Sequence, residues 1–308
     1  MRRMIAASVA RRIALKKMGA GALALAAPMQ VLAAVSDAAK PVVKARRIVS
    51  VGGALTEIVY ALEAQGELVG VDTTSLYPAV AQQLPQVGYA RTLSAEGVLS
   101  LAPTQLIATE EAGPQAVLRQ VRDAGVPVAV LNANNRFEGL LERVRQVGQI
   151  TGRADPAARL AQALQQQWDG ALGKVRQRSH APVRVLFILA HAPNQVMVGG
   201  RETGADAMLA YAGAVNVMGG QGGFAGYKPL TPEAVIAARP DLVLVTDQGL
   251  KASGGVDGIL KLPGLAQTPA GRRHRIVSLE AMLLLGFGPR MPQALAELDA
   301  AFAKAMAA

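Results

Sequence analysis

Three residue types bound the chemistry available to this 308-residue chain: it has no cysteine, three histidines and five tyrosines. Thiol catalysis is thereby excluded, and no GxSxG elbow, GxxxxGK[ST] phosphate loop or HExxH zinc motif occurs. GGRETG at 199–204 has a phosphate-loop look, but a glycine turn before a helix accounts for it equally well. A zinc or manganese centre needs several histidines and carboxylates to converge. His180, among Arg and Ser, and His274, within GRRHR, look like solvated surface, which leaves His191 behind the apolar run VRVLFIL. The stronger candidate is Tyr77 in GVDTTSLYPAV, its backbone stiffened by Pro78. A phenolate there is a hard anionic oxygen ligand suited to ferric iron. The plainer reading is a tyrosine that packs over the end of a sheet.

The elements that must position these side chains are written twice in the sequence. Residues 93–109, LSAEGVLSLAPTQLIAT, correspond to residues 230–246, LTPEAVIAARPDLVLVT, at a constant offset of 137. Each copy has a cap (Ser94, Thr231), a first-turn acid (Glu96, Glu233), an amphipathic helix, a proline stop and a β-branched run. VGGALTEIVYALEAQG (51–66) and VGGRETGADAMLAYAG (198–213) form a second pair, offset by 147, and the Gly-rich segment 219–228 is where the extra residues fit. Strands are expected at 47–51, 68–71, 105–108, 126–131, 183–189 and 275–279. The pattern predicts an α/β protein of two lobes, each a mainly parallel sheet flanked by helices. Small ligands usually sit in the cleft between such lobes.

From Phe137 to Arg178 the pattern is helical without strands: one helix to Gly152, then a second capped by Asp155-Pro156 and carrying Trp168 into the core. The expected organisation is an export signal at 1–34, an N-terminal lobe at 35–136, a long helical connector at 137–180 and a C-terminal lobe at 181–308. A helical connector packed on both lobes should resist bending and permit only modest closure.

Residues 1–34 hold six Arg and Lys, no acid, an Ala/Gly/Leu stretch and VLAA, the pattern of a cleaved export signal, with Arg11-Arg12 leaving the twin-arginine and general routes both open. Without them the net charge falls from +10 to +4, so basicity says little about nucleic acid, and no basic run with interleaved aromatics follows. No cysteine is present to carry a lipid or a disulfide, and the expected location is a Gram-negative periplasm. Within the fold, the Tyr77 loop follows the strand LVGV and should face the cleft. Lys228, ending the Gly-rich loop of the other lobe, could approach it. His191 falls at the C-terminal end of a strand, where open α/β sheets place ligand groups.

The order RIVSVGGALTEIVYALEAQGELVGVDTTSLYP, then LPQVGYARTLSAEGVLSLAPTQLIATEEAGP, resembles the periplasmic haem receptors of ABC importers, within the helix-linked class III receptors for metals, siderophores and cobalamin. The resemblance extends over TGADAMLAYAGAVNV, YKPLTPEAVIAARPDLVLV and GFGPR, essentially the whole mature chain. It implies a binding protein, not an enzyme, whose cargo is haem (iron protoporphyrin IX), with Tyr77 as the iron ligand. It also implies a second-lobe cation supporting the tyrosinate, for which Lys228 is the nearest match although some relatives carry Arg. His191 falls where some relatives bind a second haem. Met197, Phe224 and Tyr227 are candidates to touch the ring. Glu96 and Glu233 match glutamates that dock on arginines of the inner-membrane permease; independently, both are first-turn acids that complement a helix dipole. The protein is expected to be a monomer. A receptor for ferric siderophore or cobalamin is the alternative, and an exported α/β enzyme a more remote one.

Overall fold

The computed structural model describes residues 45–178, 181–190, 196–220 and 222–307. The expected export signal, His180 and His191 lie outside the described residues. Four parallel strands form the first sheet: β1 (Ile48–Val51), β2 (Leu68–Val71), β3 (Gln105–Thr109) and β4 (Val128–Leu131), in the order β2-β1-β3-β4. Central β1 is buried along its whole length, as a strand covered on both faces must be. The second sheet contains β5 (Arg184–Ala190), β6 (Val196–Gly199), β7 (Val215–Asn216), β8 (Tyr227–Pro229), β9 (Leu242–Thr246) and β10 (Ile276–Leu279). Its order is β10-β9-β5-β6-β8, with β7 also beside β5.

The doubled segment is doubled in three dimensions. Ser94 and Thr231 cap their helices through the amides of Gly97 and Ala234. Ala102 (φ 44°) and Arg239 (φ 47°) both take the left-handed conformation near the helix end. Arg47 and Arg184, also 137 apart, reach the freed carbonyls: Arg47 donates to Leu101 and Ala102, Arg184 to Ala238 and Arg239. The last carbonyls of a helix have no partner within it, so an arginine at the N-terminal end of β1 or of β5 closes each unit.

The second pair of echoed segments diverges. VGG at 51–53 ends the central parallel strand, whereas VGG at 198–200 ends β6, which runs antiparallel to both β5 and β8. The counterpart of β1 is therefore β5, which pairs with β9 as β1 pairs with β3. Gly222 and Gly226, in the segment that leads into β8, adopt φ values of 78° and 74°, open to a residue without a side chain.

Between the sheets run the helices Phe137–Ile150 and Ala154–Arg176. The second begins two residues earlier than Asp155 would dictate as a cap. Arg153 is the N-cap, and Asp155 and Pro156 sit in the first turn, where a negative charge and a missing N–H are both tolerated. One apolar core continues from the first sheet through these helices into the second, including Ile48, Leu55, Val144, Trp168, Phe187 and Met208. Trp168 stacks on Phe137 with ring centroids 4.6 Å apart and meets the Tyr211 ring edge-on at 4.8 Å. Arg143 bolts the same junction: it is only 2% exposed, and it donates to the carbonyls of Asn132, beyond β4, and Phe287, beyond β10. Burial lowers its guanidinium pKa to about 10.

Trp168→Ala should cost about 3–5 kcal/mol of stability, because the cavity would open between both sheets and the connector. Urea unfolding followed by circular dichroism tests this, Trp168 being the only tryptophan.

Candidate functional site

The loop that carries Tyr77 is organised by one buried carboxylate. Asp72 Oδ1 accepts from the Gly52 amide (2.9 Å) and the Ser75 hydroxyl (3.0 Å), and Oδ2 accepts from the Thr74 amide (3.1 Å) and hydroxyl (2.7 Å). Thr74 Oγ1 in turn accepts from the Gly53 amide at 2.9 Å. Thr56 joins the network through the hydroxyls of Ser50 and Ser75. The acid and hydroxyls of DTTS thus serve the unpaired N–H groups that open the helix Gly53–Ala61, where negative charge is favoured. Gly53 is required at the contact, since a Cβ would lie 2.4 Å from the Thr74 carbonyl oxygen. Tyr77 projects from this fixed loop and is 48% exposed.

A cation lies on its ring, and that cation is Arg290. Its Cζ is 3.9 Å from the Tyr77 ring centroid. Arg290 is gripped by Glu57 through Nε (3.0 Å) and Nη2 (2.6 Å), and by Glu280 through Nη2 (3.2 Å). Glu280 is itself held as the N-cap of the helix Ala281–Leu285, accepting from the amides of Met282 and Leu283. Loss of hydration raises the Glu57 carboxyl above its ordinary range even though Arg290 pulls it down. Glu57 comes from the first lobe and Arg290 from the second, so this ion pair is also a bridge between lobes.

Lys228, the expected second-lobe cation, lies over an aromatic ring of its own lobe. Its Nζ sits 4.9 Å from the ring centroid of Phe224. Met197 and Lys228 lie on adjacent antiparallel strands, β6 and β8, and the Phe224 carbonyl accepts from the Arg201 amide at 2.7 Å. Tyr227, on β8, has its ring edge-on to Phe187, 6.5 Å between centroids. Loss of hydration pushes the Tyr227 phenol upward, against the pull of the Thr203 hydroxyl. Across from it stands a pair that motif reading did not single out as a site, Arg91 and Glu111, 2.5 Å apart and exposed. Arg91 lies near both Tyr89 and Tyr227, which brings the two lobes' loops to one another here. Tyr77, Tyr89 and Tyr227 are all exposed, three of the five tyrosines in an aromatic-poor chain. Glu96 and Glu233 are exposed in the first turns of their helices and form no ion pair among the described residues. His274 is exposed, and no group of three His, Asp or Glu able to hold a metal occurs among the described residues.

Residues 48–283 match the periplasmic binding protein family. The chain belongs to that family. Among solved members, RhuT of Roseiflexus sp. RS-1, a periplasmic haem-binding protein in apo form, is 44% identical and superimposes with a TM-score of 0.82 over 85% of this chain and 99% of its own. BhuT, a periplasmic haem-binding protein in complex with two haems, is also 44% identical, with a TM-score of 0.81 over 85% of this chain and 99% of that one. The vitamin B12-binding protein of Pectobacterium atrosepticum is more distant, 25% identical over 203 residues, 65% of this chain and 71% of its own. Family and relatives are binding proteins rather than enzymes.

Removing the cation alone should be costly. Arg290→Ala leaves Glu57 buried without its partner and should lose about 3–5 kcal/mol at pH 7. With nothing to offset desolvation, the folded-state pKa of Glu57 would rise further above its unfolded value. The folded protein then binds the proton more tightly than the unfolded chain, so stability is present in acid and lost as pH rises through that folded value. Urea midpoints of the variant should therefore recover, relative to the parent, between pH 7 and pH 5.

Proposed function

We propose that this protein is a periplasmic receptor that binds haem between its lobes through a bond from the Tyr77 phenolate to ferric iron, and delivers it unchanged to an ABC importer in the inner membrane. The observation that carries the reading is an exposed Tyr77 on a loop locked by Asp72, with the Arg290 cation against its ring. A directional anionic ligand on rigid backbone suits a metal held by one protein bond. Of the cleft tyrosines, Tyr227 is the poorer candidate, because lost hydration and the nearby Glu111 both favour its neutral form.

Porphyrin presents two broad apolar faces, and Met197, Phe224 and Tyr227 are the residues proposed to cover them. Lys228 and Arg91 supply cations for the propionates. His191 is proposed as the second-lobe ligand where two haems bind, a stoichiometry observed in BhuT. Glu96 and Glu233, matched in position on the two lobes, dock on the permease, and the receptor acts as a monomer.

Ferric haem added to the purified protein should give a high-spin, tyrosinate-type absorbance spectrum that Tyr77→Phe largely abolishes; an unchanged spectrum in that variant refutes the ligand. Cyanocobalamin binding in place of haem would move the protein to the alternative cargo. The double variant Glu96→Ala/Glu233→Ala should bind haem with parental affinity yet support less uptake when it replaces the parent in cells, and a loss of affinity would contradict a docking role.

A further inference from the structure

Glu96 and Glu233 stand on helices too short to hold a direction by themselves. Ala95–Leu99 has five residues and Pro232–Ala238 seven, whereas an isolated helix needs about 12–15 to persist in water. Each is attached at three points. At its start a hydroxyl, of Ser94 or Thr231, accepts from an amide of the first turn. Along its length one side chain is buried, Val98 or Val235. Beyond its end the chain turns through Ala102 (φ 44°) or Arg239 (φ 47°), a left-handed conformation that residues with side chains rarely adopt. There an arginine takes two successive carbonyls. Arg47 donates from Nη2 to Leu101 (2.7 Å) and from Nε to Ala102 (3.0 Å). Arg184 donates from Nη2 to Ala238 (2.7 Å) and from Nε to Arg239 (3.5 Å).

The arginines are themselves pinned at the entry to the next strand. The Thr104 amide donates to the Arg47 carbonyl and the Arg47 amide to the Thr104 hydroxyl, both at 2.8 Å. In the other unit the Asp241 amide donates to the Arg184 carbonyl at 2.8 Å, and the Arg184 amide to the Asp241 carboxylate at 3.4 Å. Every partner lies 137 residues from its counterpart, so the clamp is repeated together with the glutamate.

We infer that Arg47 and Arg184 are positioning residues for docking: each fixes the end of a helix whose first turn presents Glu96 or Glu233 to the permease. The inference rests on the proposed docking of those two glutamates. A planar guanidinium fork can bond two neighbouring carbonyls at once, which a lysine ammonium reproduces poorly. Both arginines are exposed, so their bonds serve the helix end rather than the core.

Haem uptake by cells in which each full-length variant replaces the parent, normalised to receptor level, tests this alongside haem titration of the purified proteins. Arg47→Gln and Arg184→Gln should each bind haem with parental affinity and each lower uptake about threefold. Arg47→Lys and Arg184→Lys should lose less. The two lobes separate positioning from stability. In a Glu96→Ala background Arg47→Gln should lower uptake no further, because the glutamate that it positions is gone, whereas Arg184→Gln should still do so; Glu233→Ala reverses the assignment. A general loss of stability would add in both backgrounds, and that result overturns the inference. Parental uptake by both arginine variants while Glu96→Ala and Glu233→Ala are impaired also overturns it, as does a loss of haem affinity. If a glutamine variant fails to fold, its lysine counterpart carries the same comparison. Parental uptake by Glu96→Ala/Glu233→Ala overturns the docking reading and this inference together.

Discussion

Arg290 cannot leave water unaccompanied, and the site is built around what accompanies it. Burying a guanidinium is unfavourable until acids meet it with good geometry, and here Glu57 supplies both oxygens and Glu280 a third. Glu57 can do so only because the helix Gly53–Ala61 points its first turns at the second lobe, and Glu280 only because it caps the helix that follows β10. The ion pair therefore presupposes both sheets. What it produces is local: a cation set against an exposed phenol.

The loop that carries Tyr77 depends on a separate polar network. Asp72, Thr74, Ser75, Thr56 and Ser50 satisfy one another and the opening amides of the same helix that carries Glu57. One helix thus anchors the Tyr77 loop at its N-terminus and the cation one turn later. Beneath it, the shared core around Trp168 and the Arg143 bolt join both sheets to the connector. Apolar packing and hydrogen bonds thus both cross the junction between the sheets.

Much of the frame was legible in the residues. The 137-residue echo foretold two capped helix-to-strand units, and the arginines that close them, Arg47 and Arg184, obey the same offset. The echo at 51 and 198 was a weaker guide. It marks two glycine turns before helices, a local feature, while strand direction is decided by which neighbours are free to pair, and β6 turns antiparallel. Lys228 likewise follows sequence proximity to a mobile-looking glycine loop, yet β8 pairing puts it on Phe224. Arg290 was on the page only as the end of GFGPR, 213 residues after Tyr77 in the chain.

By itself, the sequence determined what is local: caps, periodicities, turn glycines and the absence of thiol chemistry. Those follow from bonds and propensities spanning a few residues. Only the tertiary structure decided which cation meets Tyr77 and which acids hold the cation. Such choices depend on desolvation and on distances between segments far apart in the chain, quantities that exist only once the lobes have closed around a common core.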